Sequence, residues 1–454
     1  MTSSALKLTH LRDGRKAIII RTSDRISFKS CRRKWHWSSH LKQNLGPKAL
    51  SAPLWFGSAI HYALEDYHGY NVFGRPAEAF KAYCLATAKN WKRELPHDAA
   101  DHYILGQKIM NYYQDMWLDG YPRKADQTYW APPVNDPNGP LEPQVEVNFE
   151  IEIPIHQSPV LVDYVRRLGA DVVLYRGTID RVSVDEWGQL WVVEYKTAKV
   201  YQATHYQTDP QVTTYVWALS QIFDRPVAGV VYHQFVKKAP DTPRLLSTGK
   251  ISTAQNLVTS YPLYKSALES LYGSVQKSPS LNQDFMNRLI KSETDHRDRY
   301  IIREPIFRNA EQCMNESWKI MMELEDMLNP DLPLYPNPTR DCSRMCSFMT
   351  PCVNLDDGSD WEQLLNQLYS PRDNDLDRMW RRRLPSPQEL HALTNKHPGQ
   401  EPDLHDIQIR SQEEYQLANM AAGDFELSEF EMKDPNPFSG MNVKGSFNMH
   451  DVEG

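Results

Sequence analysis

Asp180, Glu194 and Lys196 lie in one short stretch whose local pattern can bring them together. From Asp171 to Lys199 the chain reads DVVLYRGTIDRVSVDEWGQLWVVEYKTAK. Alternating and β-branched residues fill 172–184 and again 189–195, and the turn-forming residues between them are Asp185, Glu186, Trp187 and Gly188, so the pattern predicts a hairpin. A three-residue loop with Gly188 left-handed pairs Asp185 with Gln189 and, counting down the ladder, sets Asp180 opposite Glu194. Side chains alternate with period two, which puts Asp180, Glu194 and Lys196 on one face. A Glu and a Lys two apart on a strand commonly form a solvated face with weak ion pairs. Against that, Trp191, Val192, Val193 and Tyr195 read as a strand buried on both faces, where charges need partners. Two convergent carboxylates suit a hard divalent cation that takes oxygen ligands, Mg²⁺ or Mn²⁺.

Other elements must hold this hairpin. Residues 17–21 form a short apolar strand, and Ser23, Asp24 or Ser27 can cap a helix running to about His40, with Cys31 near its start. Residues 57–70, GSAIHYALEDYHGY, place Ile60, Leu64 and Tyr67 on one helical stripe and His61, Glu65 and His68 on the next. A lone histidine on such a helix is ordinarily a hydrogen-bonded core residue. Two more helices are expected over 79–95 and 98–119, with Tyr103, Tyr112, Tyr113 and Trp117 as packing surface, followed by a Pro-rich connection over 131–143. Residues 144–155 alternate as a half-exposed strand, with Glu146, Glu150 and Glu152 on its wet face. Downstream, Asp209 can cap a helix with Pro210 at its first position, which sets Gln211 and Tyr215 on one face and leaves N–H groups free for an anion. A strand over 227–236 precedes Lys237 and Lys238, and 253–328 is mainly helical.

The chain has 454 residues, enough for a large core, and a formal charge of −7 that is unevenly spread. Residues 401–454 hold twelve acids against Arg410, Lys433 and Lys444, whereas residues 1–50 hold twelve basic residues against Asp13 and Asp24. The basic excess centres on RTSDRISFKSCRRKWHW, where Arg32, Arg33, Lys34 and Trp35 suit a nucleic-acid strand; a helix with an ordinary basic solvent face reads equally well. No apolar run matches a membrane span and the first residues lack the apolar core of a signal peptide, so a cytoplasmic setting is expected. In that setting the six cysteines do not suggest a disulfide framework, and the clustering of Cys342, Cys346 and Cys352 points to metal. Cys84 and Cys313 fall in helical patterns as small buried hydrophobes. The expected division is 1–355 as one domain and 356–454 as an acidic tail, partly helical and partly disordered. No P-loop motif occurs, so a helicase would be a separate partner.

The hairpin with GTID (Gly177 to Asp180) and EYK (Glu194 to Lys196), preceded by G-x-x-x-H (Gly57 to His61) and followed by Q-x-x-x-Y (Gln211 to Tyr215), resembles the PD-(D/E)XK nucleases. The branch it resembles is the RecB-like one, with AddB and the CRISPR-associated RecB-like exonucleases. The resemblance covers about residues 20–355. It implies an α/β restriction-endonuclease-like core, a central mixed sheet flanked by helices with helical insertions. It also implies a metal-dependent DNA exonuclease acting on ends or single strands, in recombination, repair or phage replication in a prokaryotic or phage-infected cell. By resemblance Asp180, Glu194, His61 and the Tyr195 carbonyl bind Mg²⁺ or Mn²⁺, Lys196 is the non-ligand, and Gln211 and Tyr215 position strand and site. The iron–sulfur subset of that branch joins one upstream cysteine to three near the C-terminus. Here these are Cys31 with Cys342, Cys346 and Cys352, spaced C-x3-C-x5-C where C-x2-C-x5-C is commoner. Four thiolates suit zinc as well as a [4Fe-4S] cluster, and the resemblance implies the cluster. A helicase, recombinase or single-strand-binding protein would be the protein partner. The competing reading is a non-catalytic iron–sulfur protein that binds nucleic acid as a recombination or packaging partner.

Overall fold

A computed structural model of the chain describes residues 8–48, 52–90, 98–118, 130–200, 206–296, 299–372 and 387. In chain order the strands are β1 (Thr9–His10), β2 (Lys16–Arg21), β3 (Leu45–Pro47), β4 (Gln144–Glu152), β5 (Val172–Val184), β6 (Leu190–Ala198), β7 (Val227–Val236), β8 (Ile301–Phe307) and β9 (Tyr369–Pro371). The α-helices are α1 (Thr22–Ser30), α2 (Arg32–Ser38), α3 (Ala52–Glu65), α4 (Pro76–Asn90), α5 (Ala99–Tyr112), α6 (Pro159–Arg167) and α7 (Pro210–Ile222). After them come α8 (Tyr261–Tyr272), α9 (Ser280–His296), α10 (Ala310–Leu328), α11 (Cys342–Met345), α12 (Met349–Asp357) and α13 (Trp361–Leu368). Strands β1, β2, β5, β6, β7 and β8 follow one another across a mixed sheet, with β4 paired to β5. Parallel pairs are β2 with β5 and β6 with β7; the remaining pairs are antiparallel.

The sheet is covered on both faces, as the apolar run of β6 demands. On one side Trp35, Leu161, Val212, Leu219, Ile320 and Leu324, from α2, α6, α7 and α10, join Val182, Val192, Val230 and Tyr232 in one core. On the other, Trp55, Ile60, Phe80, Tyr83, Ile109 and Met110, from α3, α4 and α5, pack on Val193, Tyr195, Val231 and Phe235. Helices α8 and α9, inserted between β7 and β8, carry a small core of their own around Tyr264, Leu268 and Phe285.

The expected hairpin register is observed. Asp185 N–H donates to the Gln189 carbonyl at 3.0 Å, Gly188 has φ +78°, and the ladder runs from Val184↔Leu190 to Arg181↔Val193. One step further along this count is Asp180 against Glu194. Strand β5 is the sheet's branch point: β4 lines one of its edges over Leu174–Val182, while on the other edge pairing with β2 ends at Arg176 and pairing with β6 begins at Arg181. Residues 177–180 lie where β2 and β6 part. Gly177 is required there, because a Cβ would stand 2.4 Å from Phe149 Cζ and 3.1 Å from Thr22 Oγ1.

Three expectations change. The single helix predicted to run to His40 is two, because Cys31 is extended (φ −169°, ψ 121°) between α1 and α2. Asp24 is not its N-cap but sits inside α1, where its carboxylate accepts the Arg21 N–H at 3.0 Å in a capping box. The boundary at residue 355 also moves: β9 pairs with β3, and Phe348, Leu365 and Tyr369 pack on Trp37, so the fold continues through residue 372. The acidic tail lies outside the described residues. No described helix is long and apolar enough to cross a membrane.

Candidate active site

Five elements converge where β5 and β6 diverge. From α3, His61 directs Nδ1 at Asp180 Oδ1 (3.2 Å) and Nε2 at the Tyr195 carbonyl (3.1 Å). Asp180, on β5, is 5% exposed and accepts the Tyr195 N–H on Oδ2 at 2.8 Å. One carboxylate therefore holds both the helix histidine and the backbone of β6. From β6, Glu194 is 3% exposed; its Oε1 accepts from Lys196 Nζ at 2.5 Å and from Gln211 Nε2 at 3.3 Å. Gln211 Nε2 also donates to the Tyr215 hydroxyl at 3.0 Å, and Gln211 Oε1 stands 3.4 Å from Lys196 Nζ. The start of α7 is built as its sequence predicts: Asp209 is the N-cap, accepts the Gln211 N–H at 2.9 Å and is gripped by the Tyr232 hydroxyl at 2.9 Å.

The electrostatics separate the two carboxylates. Burial acts to raise Asp180, but His61, the Tyr195 N–H and Lys196 outweigh it and hold this carboxyl below its ordinary range. Glu194 is pushed up to about 7, first by burial and then by the negative Asp180, which Lys196 offsets only in part. Burial acts to discharge Lys196, yet Glu194, Asp180 and Asp209 hold its pKa above the ordinary lysine value, so it is a fixed cation and not a proton acceptor. Tyr215 is raised by burial and by Glu194, which keeps its hydroxyl protonated.

Sequence reasoning missed Glu146. The alternation of β4 put it on a wet face, but it is half-buried at φ +49°, and the pairs Val145↔Arg181 and Val147↔Ile179 bracket it opposite Asp180. Ligand atoms of His61, Glu146 and Asp180 all lie within 4.8 Å of one another. The signal was the β4–β5 register, which joins segments more than 30 residues apart and which period-two patterning cannot supply.

These residues fit a divalent cation. Both His61 nitrogens face oxygens, of Asp180 and of the Tyr195 carbonyl, and the Glu194 Oε2 is buried with no hydrogen-bond partner among the described residues. Oxygen-rich donors with one imidazole match Mg²⁺ or Mn²⁺.

The nucleic-acid residues suggested near the N-terminus are employed differently. Trp35 is 0% exposed and packs edge-to-face on Phe28 at 5.1 Å, so it cannot stack on a base; Trp37 is 2% exposed. Arg32 pairs with Asp326 and lies over the Phe28 and Tyr335 rings. Arg33 donates to the Cys352 carbonyl, to Cys352 Sγ and to Asp356. Arg25 pairs with Glu316 and Glu323 in the interior, and Lys29 with Glu323. Much of the N-terminal positive charge is thus matched by acids some 300 residues later. Lys34 is half-buried, and its N–H donates to Cys31 Sγ at 3.5 Å.

The cysteine segments meet. Asn337 N–H donates to Cys31 Sγ at 3.4 Å and its side chain to the Ser30 carbonyl at 3.0 Å, while Arg33 reaches Cys352 Sγ at 3.3 Å. Cys342 Sγ accepts the Thr339 N–H at 3.3 Å, Cys346 and Cys352 border the Trp37–Phe348 cluster, and all six cysteines are free thiols.

The family model of the PD-(D/E)XK nuclease superfamily matches residues 25–353, and the chain belongs to that superfamily. Its members are typically phosphodiester-hydrolysing nucleases that use divalent metals such as Mg²⁺ or Mn²⁺, and the mixed sheet flanked by helices is consistent with its fold. No curated protein matches the chain.

Proposed function

We propose that this protein is a RecB-like DNA exonuclease, acting on free ends or single strands in recombination, repair or phage replication, and that it carries a [4Fe-4S] cluster. One observation carries the site assignment: ligand atoms of His61, Glu146 and Asp180 lie within 4.8 Å of one another, and Glu194, a buried carboxylate with one oxygen left open among the described residues, lies on the strand whose Tyr195 carbonyl and N–H meet His61 and Asp180. Asp180, Glu194, His61, Glu146 and the Tyr195 carbonyl would hold Mg²⁺ or Mn²⁺. Held by these residues, such an ion would supply Lewis-acid polarisation of a phosphoryl oxygen and a lowered pKa for a water. Lys196, a fixed cation against Glu194, stabilises the charge that develops on the phosphate without taking a proton. Gln211 locks Glu194 and Lys196 together, and Tyr215 anchors Gln211, so both act as positioning residues.

The cluster reading draws support from the meeting of Cys31 with residues 337–352 and from N–H groups aimed at sulfur. Four thiolates suit zinc as well as iron–sulfur, and the resemblance to the iron–sulfur subset favours the cluster.

End-labelled linear and circular single-stranded DNA, incubated with the protein and Mg²⁺ or Mn²⁺, test the activity. Loss of the linear form alone is expected; cutting of the circle would make the enzyme an endonuclease, and no cutting of either would leave a binding protein.

A further inference from the structure

Lys237, the first of two lysines after β7, has no part in the site described above. Its N–H donates to the Ala198 carbonyl at 2.8 Å, which extends the parallel pairing of β6 and β7 one step beyond Ala198↔Val236. Phe235 on β7 packs into the α3–α5 core, and Lys237, two residues on, leaves the strand on the same side, with Nζ 5.2 Å from the centre of the Phe56 ring of α3. The ammonium is half-buried and no described carboxylate forms an ion pair with it. Burial and the neighbouring Lys199 disfavour its charge, and Asp98 offsets them only in part. A half-buried cation that rests on an aromatic face and forms no ion pair with a described carboxylate suits an anionic ligand.

The space beside it says which anion. A cavity of about 490 Å³ has Lys237 in its wall together with His61, Glu146 and Lys196, and its apolar lining includes Leu54 and Tyr83. A nucleic-acid strand with one phosphate at the His61–Glu146–Asp180 group therefore has a neighbouring nucleotide in reach of Lys237. The apolar wall offers a base a packing surface and Lys237 offers its phosphate a cation, a pair of contacts that an unpaired nucleotide can make together and a base held in a duplex stack cannot.

We propose that this cavity is the subsite for an unpaired nucleotide next to the scissile phosphate, and that Lys237 binds the phosphate of that nucleotide. The proposal rests on the nuclease reading above and adds to it a specificity-determining residue and the place where the unpaired strand is held. Single-stranded oligonucleotides that are fully charged, or that carry one neutral methylphosphonate on either side of the cleaved bond, are compared in the full chain and in Lys237→Ala and Lys237→Arg. A charge-assisted contact of this kind predicts that Lys237→Ala raises KM about 10- to 100-fold with kcat within about threefold, and that Lys237→Arg recovers most of the loss. On the oligonucleotide with the contacted phosphate neutralised, unsubstituted protein and Lys237→Ala become equivalent. Losses that instead multiply, or an unchanged KM, overturn the assignment. Blunt duplex is expected to be cut at least about tenfold more slowly than the single strand, and equal rates overturn the unpaired-nucleotide subsite. If the unsubstituted protein cuts no DNA, the nuclease reading fails, and affinity for the same oligonucleotides decides the subsite. Discrimination between charged and neutral phosphate that disappears in Lys237→Ala supports it; discrimination that persists overturns it.

Discussion

Glu194→Gln separates the two consequences of a buried carboxylate that we propose as a metal ligand. Burial and the adjacent Asp180 push Glu194 up to about 7, well above its ordinary value. Without a divalent ion the protonated carboxyl is the form the fold favours, so its contribution is fully present below about pH 4.5 and is lost as pH rises to about 7, a change on the order of 3 kcal/mol. A bound cation reverses the sign, because it takes the carboxylate. At pH 6 about nine in ten Glu194 side chains are protonated and at pH 8 about one in ten, so Mn²⁺ or Mg²⁺ affinity should tighten about tenfold between them, adding about 1.4 kcal/mol of metal-induced stabilisation. His68, buried among Arg181 and His233 and held well below its ordinary value, acts the opposite way on stability without metal, since it must stay neutral as pH falls through the ordinary histidine range. The comparison is therefore with Glu194→Gln, which keeps His68. Calorimetric metal titration at pH 6, 7 and 8 is the assay, and the wild-type affinity should steepen with pH about tenfold more than that of the variant. Parallel pH dependences in the two proteins would refute the reasoning.

Two further substitutions probe the frame of the site. Gly177→Ala drives a Cβ into the Phe149 ring, which packs on Tyr175 and Tyr215. It should cost about 1–3 kcal/mol by thermal melting and lower kcat through Tyr215, whereas a melting temperature unchanged by the methyl would contradict the packing account. Cys352→Ser should lower iron content and soluble yield before it lowers the rate per folded molecule; full iron retention would remove Cys352 from the cluster.

How far the sequence reached can be judged residue by residue. The hairpin register followed from one turn, because Gly188 and the Asp185–Gln189 pair determine every later partner. The Asp209–Pro210 start of α7 was equally local. Contacts set by distant pairing were illegible. Glu146 depends on how β4 lies against β5, and Trp35 and Trp37 depend on partners such as Phe28 and Phe348, which give those faces a buried side. Charge along the chain misled for the same reason, since Arg25, Arg32 and Arg33 meet Glu316, Asp326 and Asp356 only once the chain has closed.

The most direct test of the central claim compares wild type with Lys196→Ala on single-stranded DNA in Mn²⁺ or Mg²⁺. Lys196 is about one-third exposed and among the described residues hydrogen-bonds Glu194 and Gln211, so its truncation should leave the fold intact. The account predicts metal-dependent cleavage by wild type and a loss of at least about a hundredfold in the variant, with melting behaviour and DNA binding retained. Full activity in Lys196→Ala would contradict it.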